Sequence, residues 1–449
     1  MKSIAQIAAE LEGYDPQALP AADVLRFLSQ LVEPVQDVAE LPLFEALGRV
    51  LATDVVSPFD VPPHDNSAMD GYAFHGAALA AGTALTLKVV GTALAGKAWQ
   101  GSVGAGECVK IMTGAIMPAG LDTVVPQELV SVQGDAITLP ARLLQPGDNR
   151  RLRGEDLMQG RAALSKGELL TPARLGLVAS LGMKTVRTLR PLRVAYFSTG
   201  DEILSLGEAP REGAVYDSNR YTVFGMLRQL GCEVIDMGVV RDEPALLEAA
   251  FTAAAAQADA IITSGGVSVG EADYTKAMMQ KLGDVAFWKI AMRPGRPMAV
   301  GRISQAKSTS SPMDAGASSY QSNSNAKEVG SVGAILFGLP GNPVAVMVTF
   351  LAFVRPALLQ MMGCIDPAPP LLKARCLEPM RKKPGRTEYQ RGWVSTAADG
   401  SLQVRTTGNQ GSGVLSSMAQ ANGLIVLHHS QGNIATDDEV DVMMFDGWM

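Results

Sequence analysis

The spacing of apolar residues changes character several times along the chain, and each change marks a boundary. In the first fifty residues, "AADVLRFLSQLVEPV" places Val24, Leu25, Leu28 and Leu31 on one side of a predicted helix. From 51 to 153 that period disappears, and short runs such as "ALTLKVV" and "AITLPA" stand between Gly and Pro punctuation. This stretch predicts a small β-rich domain without a long amphipathic helix. Residues 154–190 return to helix, with Pro172 near a start and "ARLGLVASLG" ending at Gly182. Segments 1–50 and 154–190 together predict a helical linker domain.

From 191 the rhythm alternates. "LRVAYFS" (192–198) reads as a strand, "NRYTVFGMLRQLG" (219–231) as a helix stopped by Gly231, and "CEVIDMGVV" (232–240) as a strand. "EPALLEAAFTAAAAQA" (243–258) reads as a helix with Asp242 available as its N-cap and Pro244 in the first turn. "DAIITS" (259–264) is a strand again. This series predicts a doubly wound parallel sheet over 191–366, with ligands at the carboxyl ends of its strands. It resumes with "ILFGLPGNPVAVMVTFLAFV", a strand, a tight turn and a buried helix. Residues 303–332 interrupt it with nine serines in thirty residues and no hydrophobic period. Such a composition buries too little surface to offset its ordering entropy, so it predicts a flexible insertion. Beyond it, "ARCLEPM", "EYQRGWV", "LQVRTT" and "GLIVLHH" are short strands at regular spacing, predicting a C-terminal β-barrel-like domain over 367–449. The predicted fold class is therefore multidomain α/β plus β.

Composition narrows the function. A chain of 449 residues exceeds one typical core, and 47% hydrophobic with 18% charged residues is ordinary for a globular protein. A net charge of −7 and pI near 5.3 argue against partners among nucleic acids or anionic membranes. Cys108, Cys232, Cys364 and Cys376 form no CxxC pair, which fits neither a zinc site nor a disulfide framework and suits a reducing compartment. No apolar leader precedes Glu10 and Glu12, and the longest apolar run, 344–354, is too short for a bilayer. The expectation is a soluble, cytoplasmic protein.

Four strand-end loops carry the candidate chemistry: "STGDEI" (198–203), "YDSNR" (216–220), "RDEP" (241–244) and "SGGVSVGEADYTK" (264–276). Topology gathers them on one rim. Singly, Asp217 or Asp242 is explained as a helix cap, and Gly265–Gly266 as a tight turn. The repetition of acids beside hydroxyls and glycines changes the balance. Helix N-termini favour phosphate or other oxyanions, and acids beside an anion call for a hard cation such as Mg²⁺ between them. "KIAMRPGRP" (289–297) adds Lys289, Arg293 and Arg296, with prolines that stiffen their placement. "GLPGNP" (338–343) repeats the strand, glycine turn and helix design. Two polar knots lie outside the α/β region: "PPHDNSAMDGYAF" (62–74) and "IMTGAIMPAGLDTVVPQE" (111–128). His64, His75, His428 and His429 have no metal-ligand spacing, and no G-x-S-x-G or Walker lysine motif occurs.

"DNSAMDGYA", "IMTGA", "STGDE", "YDSNR", "SGGVSVGEADYTK" and "LPGNP", in this order from about 45 to 430, resemble the molybdopterin molybdenumtransferase family, the molybdenum insertases related to the C-terminal domain of gephyrin. The resemblance implies transfer of molybdenum from molybdate to adenylylated molybdopterin, with hydrolysis of the adenylate and release of AMP. It implies Mg²⁺ as cofactor and a homodimer with a cleft shared between subunits. It also implies molybdopterin adenylyltransferase and molybdoenzyme apoproteins as partners. By motif, Asp70 and Thr113 come from the partner side of that cleft. Glu202, Asp242 and Asp273 act as catalytic and metal-binding acids. Ser264, Gly265, Gly266 and Ser268 cradle the pterin phosphate near Lys276 and Lys289. Asp217 and Asn219 shape the floor. Arg293, Arg296, Pro340, Gly341 and Asn342 complete the substrate site. Arg293 and Arg296 stand where the family often has lysine, His64 replaces an apolar aromatic, 303–332 is longer than usual, and the first twenty residues fall outside the resemblance. Two other readings share features: an adenylyltransferase of the same fold, which lacks the two knots and the C-terminal domain, and a non-catalytic dimeric scaffold.

Overall fold

A computed structural model describes residues 2–267, 274–304, 333–366, 368 and 370–445. Ser268, Glu271, Asp273 and the insertion from 305 to 332 lie outside the described residues.

At the centre is a six-stranded sheet in the order Glu233–Val240, Arg193–Thr199, Ala260–Ser264, Ala334–Leu339, Pro297–Ile303, Gly283–Lys289. The first four strands are parallel and the last two antiparallel, so the sheet is mixed rather than wholly parallel. Strand alternation sorts the core into two layers. Tyr196, Ile262 and Phe337 face one side, with Val223, Leu227 and Phe350. Ala195, Phe197, Ile261 and Leu336 face the other, with Phe251, Ala254 and Met279. Helix Ser218–Gln229 is capped by Asp217 and stopped near Gly231, whose φ is +80°.

Pro343–Thr349, a π-helical turn Phe350–Val354 and Arg355–Met361 run on as one helix of 19 residues, longer than its apolar run indicates. By length and composition it could cross a bilayer, but 89% of its apolar stretch is buried inside the fold. It is the core helix of the α/β domain.

The two N-terminal helices, Ile4–Glu10 and Ala21–Leu31, pack into that same core and not into the linker. Val24, Phe27, Leu28 and Leu31 are buried whereas Leu25 is 40% exposed, so the buried stripe runs through Phe27. Phe27 meets Trp288 edge to face at 4.9 Å and stacks on Tyr14 at 6.4 Å. The Trp288 indole N–H donates to the Tyr14 hydroxyl at 2.9 Å, so residues before 20 complete the edge of the sheet.

The linker is mostly β-ribbon. Val38–Pro42 pairs with Thr185–Leu189, and Val55–Val56 with Ala162–Leu164. Only Pro172–Ser180 is helical within 154–190, with Thr171 as its N-cap. Gly154, Gly160 and Gly167 all have positive φ and divide the preceding stretch into turns, which the helical reading overlooked. The small β-domain holds a six-stranded sheet with no α-helix among its described residues, as its punctuated pattern predicts. At the C-terminus five strands close into a barrel: Thr387–Thr396, Leu402–Thr406, Leu372–Cys376, Glu439–Met444 and Gly423–Leu427, which returns to the first. Met292–Arg293 pairs with Thr387–Thr396, which fixes the barrel against the strand ends of the sheet.

Replacing Phe27 with Ala removes the ring joining the N-terminal helices to Trp288. The expected loss is about 3–5 kcal/mol of unfolding free energy by chemical denaturation. A loss below about 1 kcal/mol contradicts the packing role.

Candidate active site

The carboxyl ends of the parallel strands open onto a cavity of about 920 Å³. Thr199 ends the strand Arg193–Thr199 and Glu202 follows it, Asp217 and Asn219 lie at the start of helix Ser218–Gln229, and Ser264 ends the strand Ala260–Ser264 with Gly265 and Gly266 just beyond. Arg293 and Arg296 come from the turn before Pro297–Ile303, and Pro340, Gly341 and Asn342 from the turn before the core helix. The fourth wall is the C-terminal barrel, through Arg386, Gln410, Ser412 and Gly413.

Glycine is required at several of these loops. Gly265 and Gly266 have φ of +93° and +65°. A Cβ on Gly265 would run into the Thr199 carbonyl, and one on Gly266 would lie 2.5 Å from Thr275 Cβ. Gly200, with φ of +139°, lies under Glu202: a Cβ there would lie 2.6 Å from Glu202 Oε2. Asn219 Nδ2 donates to the Gly341 carbonyl at 2.8 Å, tying the second and last loops together.

Asp217, only 3% exposed, accepts the Arg220 backbone N–H through Oδ1 at 3.1 Å, while its Oδ2 makes no hydrogen bond. Thr199 Oγ1 and Asn219 Oδ1 are likewise buried without a partner. A buried polar atom without a partner costs about 1–3 kcal/mol, so these three residues of the cavity wall are held at a cost to stability. The cations are arranged unevenly. Arg386 is held by Glu388 at 2.7 Å, but Arg293 and Arg296 are exposed and have no carboxylate partner among the described residues. Buried Arg391 bonds Ser417 and the carbonyls of Asn409 and Gly411; burial first, then the charge of Arg293, pushes it down to about 10. An anion beside Arg293 offsets its effect on Arg391.

Other expected site residues lie elsewhere. Asp242 does not cap its helix, whose N-cap is Glu243 without a side-chain bond; instead its carboxylate accepts from Thr275 Oγ1 at 3.4 Å. Lys276 places Nζ 4.8 Å over the Phe287 ring and is not on the cavity wall. Lys289 is half-buried and off that wall, and its backbone is bound to Pro16 and Leu19. The expected free N–H groups after Asn342 are reduced, because Val344 N–H donates to the Ser412 carbonyl at 3.1 Å. Asp70 and Thr113 lie in the small β-domain, bonded to each other and not lining this cavity. Among the described residues no group of three or more His, Cys, Asp or Glu is placed to hold a metal ion. Arg386, Gln410 and Ser412 were missed by sequence reasoning. The glycine-rich "TGNQGSG" (407–413) after a strand was the one signal available for the last two.

A glycine-lined cavity at the carboxyl ends of an α/β sheet, with two arginines that lack a carboxylate partner among the described residues, suits a protein that handles an oxyanion. Three family descriptions match in order: "MoeA N-terminal region (domain I and II)" over 19–182, "Probable molybdopterin binding domain" over 195–360, and "MoeA C-terminal region (domain IV)" over 373–445. The molybdopterin molybdenumtransferase of Haemophilus influenzae is 40% identical over 94% of this chain and 96% of its own length. That of a Nostoc species is 32% identical over 95% and 93%. The solved molybdopterin biosynthesis moeA protein of Pyrococcus horikoshii aligns over 95% of this chain and 100% of its own, at 26% identity and a TM-score of 0.74. The chain belongs to the MoeA family of molybdopterin molybdenumtransferases.

Thr113 supplies the testable electrostatics of the β-domain knot. Its backbone N–H and then its hydroxyl, at 2.6 and 2.8 Å, hold the Asp70 carboxyl below its ordinary value. A carboxylate so depressed keeps its bonds at neutral pH and loses them as pH falls through the folded-state value. Thr113→Val removes one donor, so a carbonyl-carbon NMR titration of Asp70 shifts upward towards the ordinary value. An unchanged midpoint contradicts the assignment.

Proposed function

We propose that this chain, a transferase of molybdenum cofactor biosynthesis, moves molybdenum from molybdate onto adenylylated molybdopterin with hydrolysis of the adenylate and release of AMP. The carrying observation is the pair Arg293 and Arg296, without carboxylate partners among the described residues, on a cavity floored by glycine and hydroxyl loops. Molybdate and a phosphoanhydride are both oxyanions. Each takes N–H and O–H donors and fixed cations, and arginine offers planar paired donors to them. Water attacks the anhydride phosphorus, the P–O bond to the leaving phosphate breaks, and a carboxylate takes the proton. Of the two carboxylates on the cavity wall, exposed Glu202 fits this step better than buried Asp217, and Ser264 donates to the phosphate of the pterin.

Mg²⁺ fits as a partner of the phosphates. Glu202, on the cavity wall, would give it one hard carboxylate oxygen, with phosphate and water as its remaining ligands, whereas Asp242 lies off that wall and would have to leave Thr275 to join it. When bound, it supplies charge neutralisation at the anhydride. Asp273 belongs with these acids by motif.

Asp70 and Thr113 are absent from the cavity wall of their own chain, which supports a homodimer in which a second copy brings them to it. Exposed Phe44, Leu47, Tyr221 and Phe224 give apolar surface for such pairing. The cytoplasm, a supplying molybdopterin adenylyltransferase and accepting molybdoenzyme apoproteins complete the proposal.

Two experiments test it. Arg293→Ala and Arg296→Ala each raise KM for molybdate roughly tenfold or more, while Lys at either position retains part of the affinity. Unchanged KM in both Ala variants removes the anion assignment. Glu202→Gln and Asp70→Asn are each inactive alone. Mixed and allowed to exchange subunits, they recover about a quarter of wild-type turnover, since random pairing makes half the dimers mixed with one intact cleft each. No recovery in confirmed mixed dimers contradicts a shared cleft.

A further inference from the structure

Beneath the cavity floor three hydroxyls meet. The Tyr196 hydroxyl lies 2.7 Å from Ser264 Oγ and 2.9 Å from Ser198 Oγ, and the two serines are 3.2 Å apart. Strand register produces this contact. Tyr196 and Ser198 are two apart on one strand and so share a face, and Ser198 is the parallel partner of Ser264 on the next strand. Of the three, only Ser264 lines the cavity. All three are at most 3% exposed.

The proton count limits what this cluster can do. Three hydroxyls carry three protons. If each donates around the triangle, none remains for a ligand above Ser264. If the longest edge opens, Ser198 donates to Tyr196, Tyr196 donates to Ser264, and Ser264 is free to donate upward. The edge lengths single out the serine–serine contact as the one to open, since it is the longest and the Tyr196–Ser264 edge the shortest.

We propose that Tyr196 is a positioning residue that turns the Ser264 hydroxyl outward, so that Ser264 donates to an oxyanion of the substrate phosphate in the cavity. This rests on the reading that Ser264 binds that phosphate. Burial pushes the Tyr196 phenol well above its ordinary value, with Asp217 and Asp236 adding to it against the two serine hydrogen bonds, so it keeps its proton at any working pH. A donor chain of this kind strengthens its last bond to an anion, because each hydroxyl polarises the next. Nothing beyond orientation is assigned to Tyr196, which does not line the cavity.

The test is a double-mutant cycle on the full-length protein, with adenylylated molybdopterin as the probe and its Kd and KM as readouts. Ser264→Ala is expected to weaken binding roughly tenfold, as loss of a hydrogen bond to a charged group does. Tyr196→Phe, which keeps the ring packed, is expected to weaken it roughly threefold and raise KM while leaving kcat unchanged. In the Ser264→Ala background, Tyr196→Phe is expected to change Kd by less than about twofold, because its effect passes through Ser264. Ser198→Ala gives a second, milder reading of the same chain if Tyr196→Phe proves unstable on heating. Unchanged Kd in Ser264→Ala overturns the phosphate-binding reading beneath the proposal. Weakened Kd in Ser264→Ala with unchanged Kd in both Tyr196→Phe and Ser198→Ala, or equal Tyr196→Phe losses in both backgrounds, overturns the positioning role alone.

Discussion

There is no room for a side chain at Gly265 and Gly266, and the site depends on that. The three neighbouring parallel strands end level, with Ser264 paired to Ser198 on one side and to Leu339 on the other. Their loops therefore leave the sheet at one height, and the Gly265 loop passes against the Thr199 carbonyl and within 4.0 Å of where a Gly341 Cβ would lie. A Cβ at Gly265 forces the loop away from Thr199, and one at Gly266 forces it away from Thr275. Close approach of backbone is what a phosphate-sized anion requires, because several short donors must reach it together.

Around this floor, charge is divided between fixed and available groups. Glu388 is buried and holds Arg386. Arg190 is held in the same way by Asp259 on one side and Asp37 on the other, at the opposite end of the first strand. Arg293 and Arg296 have no such partner among the described residues. A cation that already has a carboxylate contributes structure, whereas one without can gain from a passing oxyanion. Two cations without a carboxylate partner among the described residues thus stand beside the glycine loops, in a protein whose net charge is −7.

What the sequence made legible follows from local physics. Strands buried on both faces are continuous apolar runs, so "LRVAYFS" and "DAIITS" were read within about a residue of their observed bounds. Asp217 and Gly231 marked a helix start and stop through caps that act locally. Tertiary pairing was less legible. The antiparallel strands Gly283–Lys289 and Pro297–Ile303 carry Pro, Arg and Lys that mask their period, and Arg386 reaches the cavity only because Met292–Arg293 pairs with the barrel. Asp242 looked like a cap, yet the helix begins one residue later than that role requires. The linker was misread because three positive-φ glycines turn a stretch that apolar spacing alone left ambiguous.

The central claim is that one cavity joins molybdate to a phosphoanhydride and couples the two events. The most direct measurement follows AMP and molybdenum-loaded product together, using purified wild-type protein, adenylylated molybdopterin and Mg²⁺, with and without molybdate. The account predicts equal amounts of AMP and loaded product when molybdate is present, formed at one rate. AMP release without matching molybdenum incorporation, or ATP-dependent release of pyrophosphate from unmodified molybdopterin as the dominant activity, would contradict it.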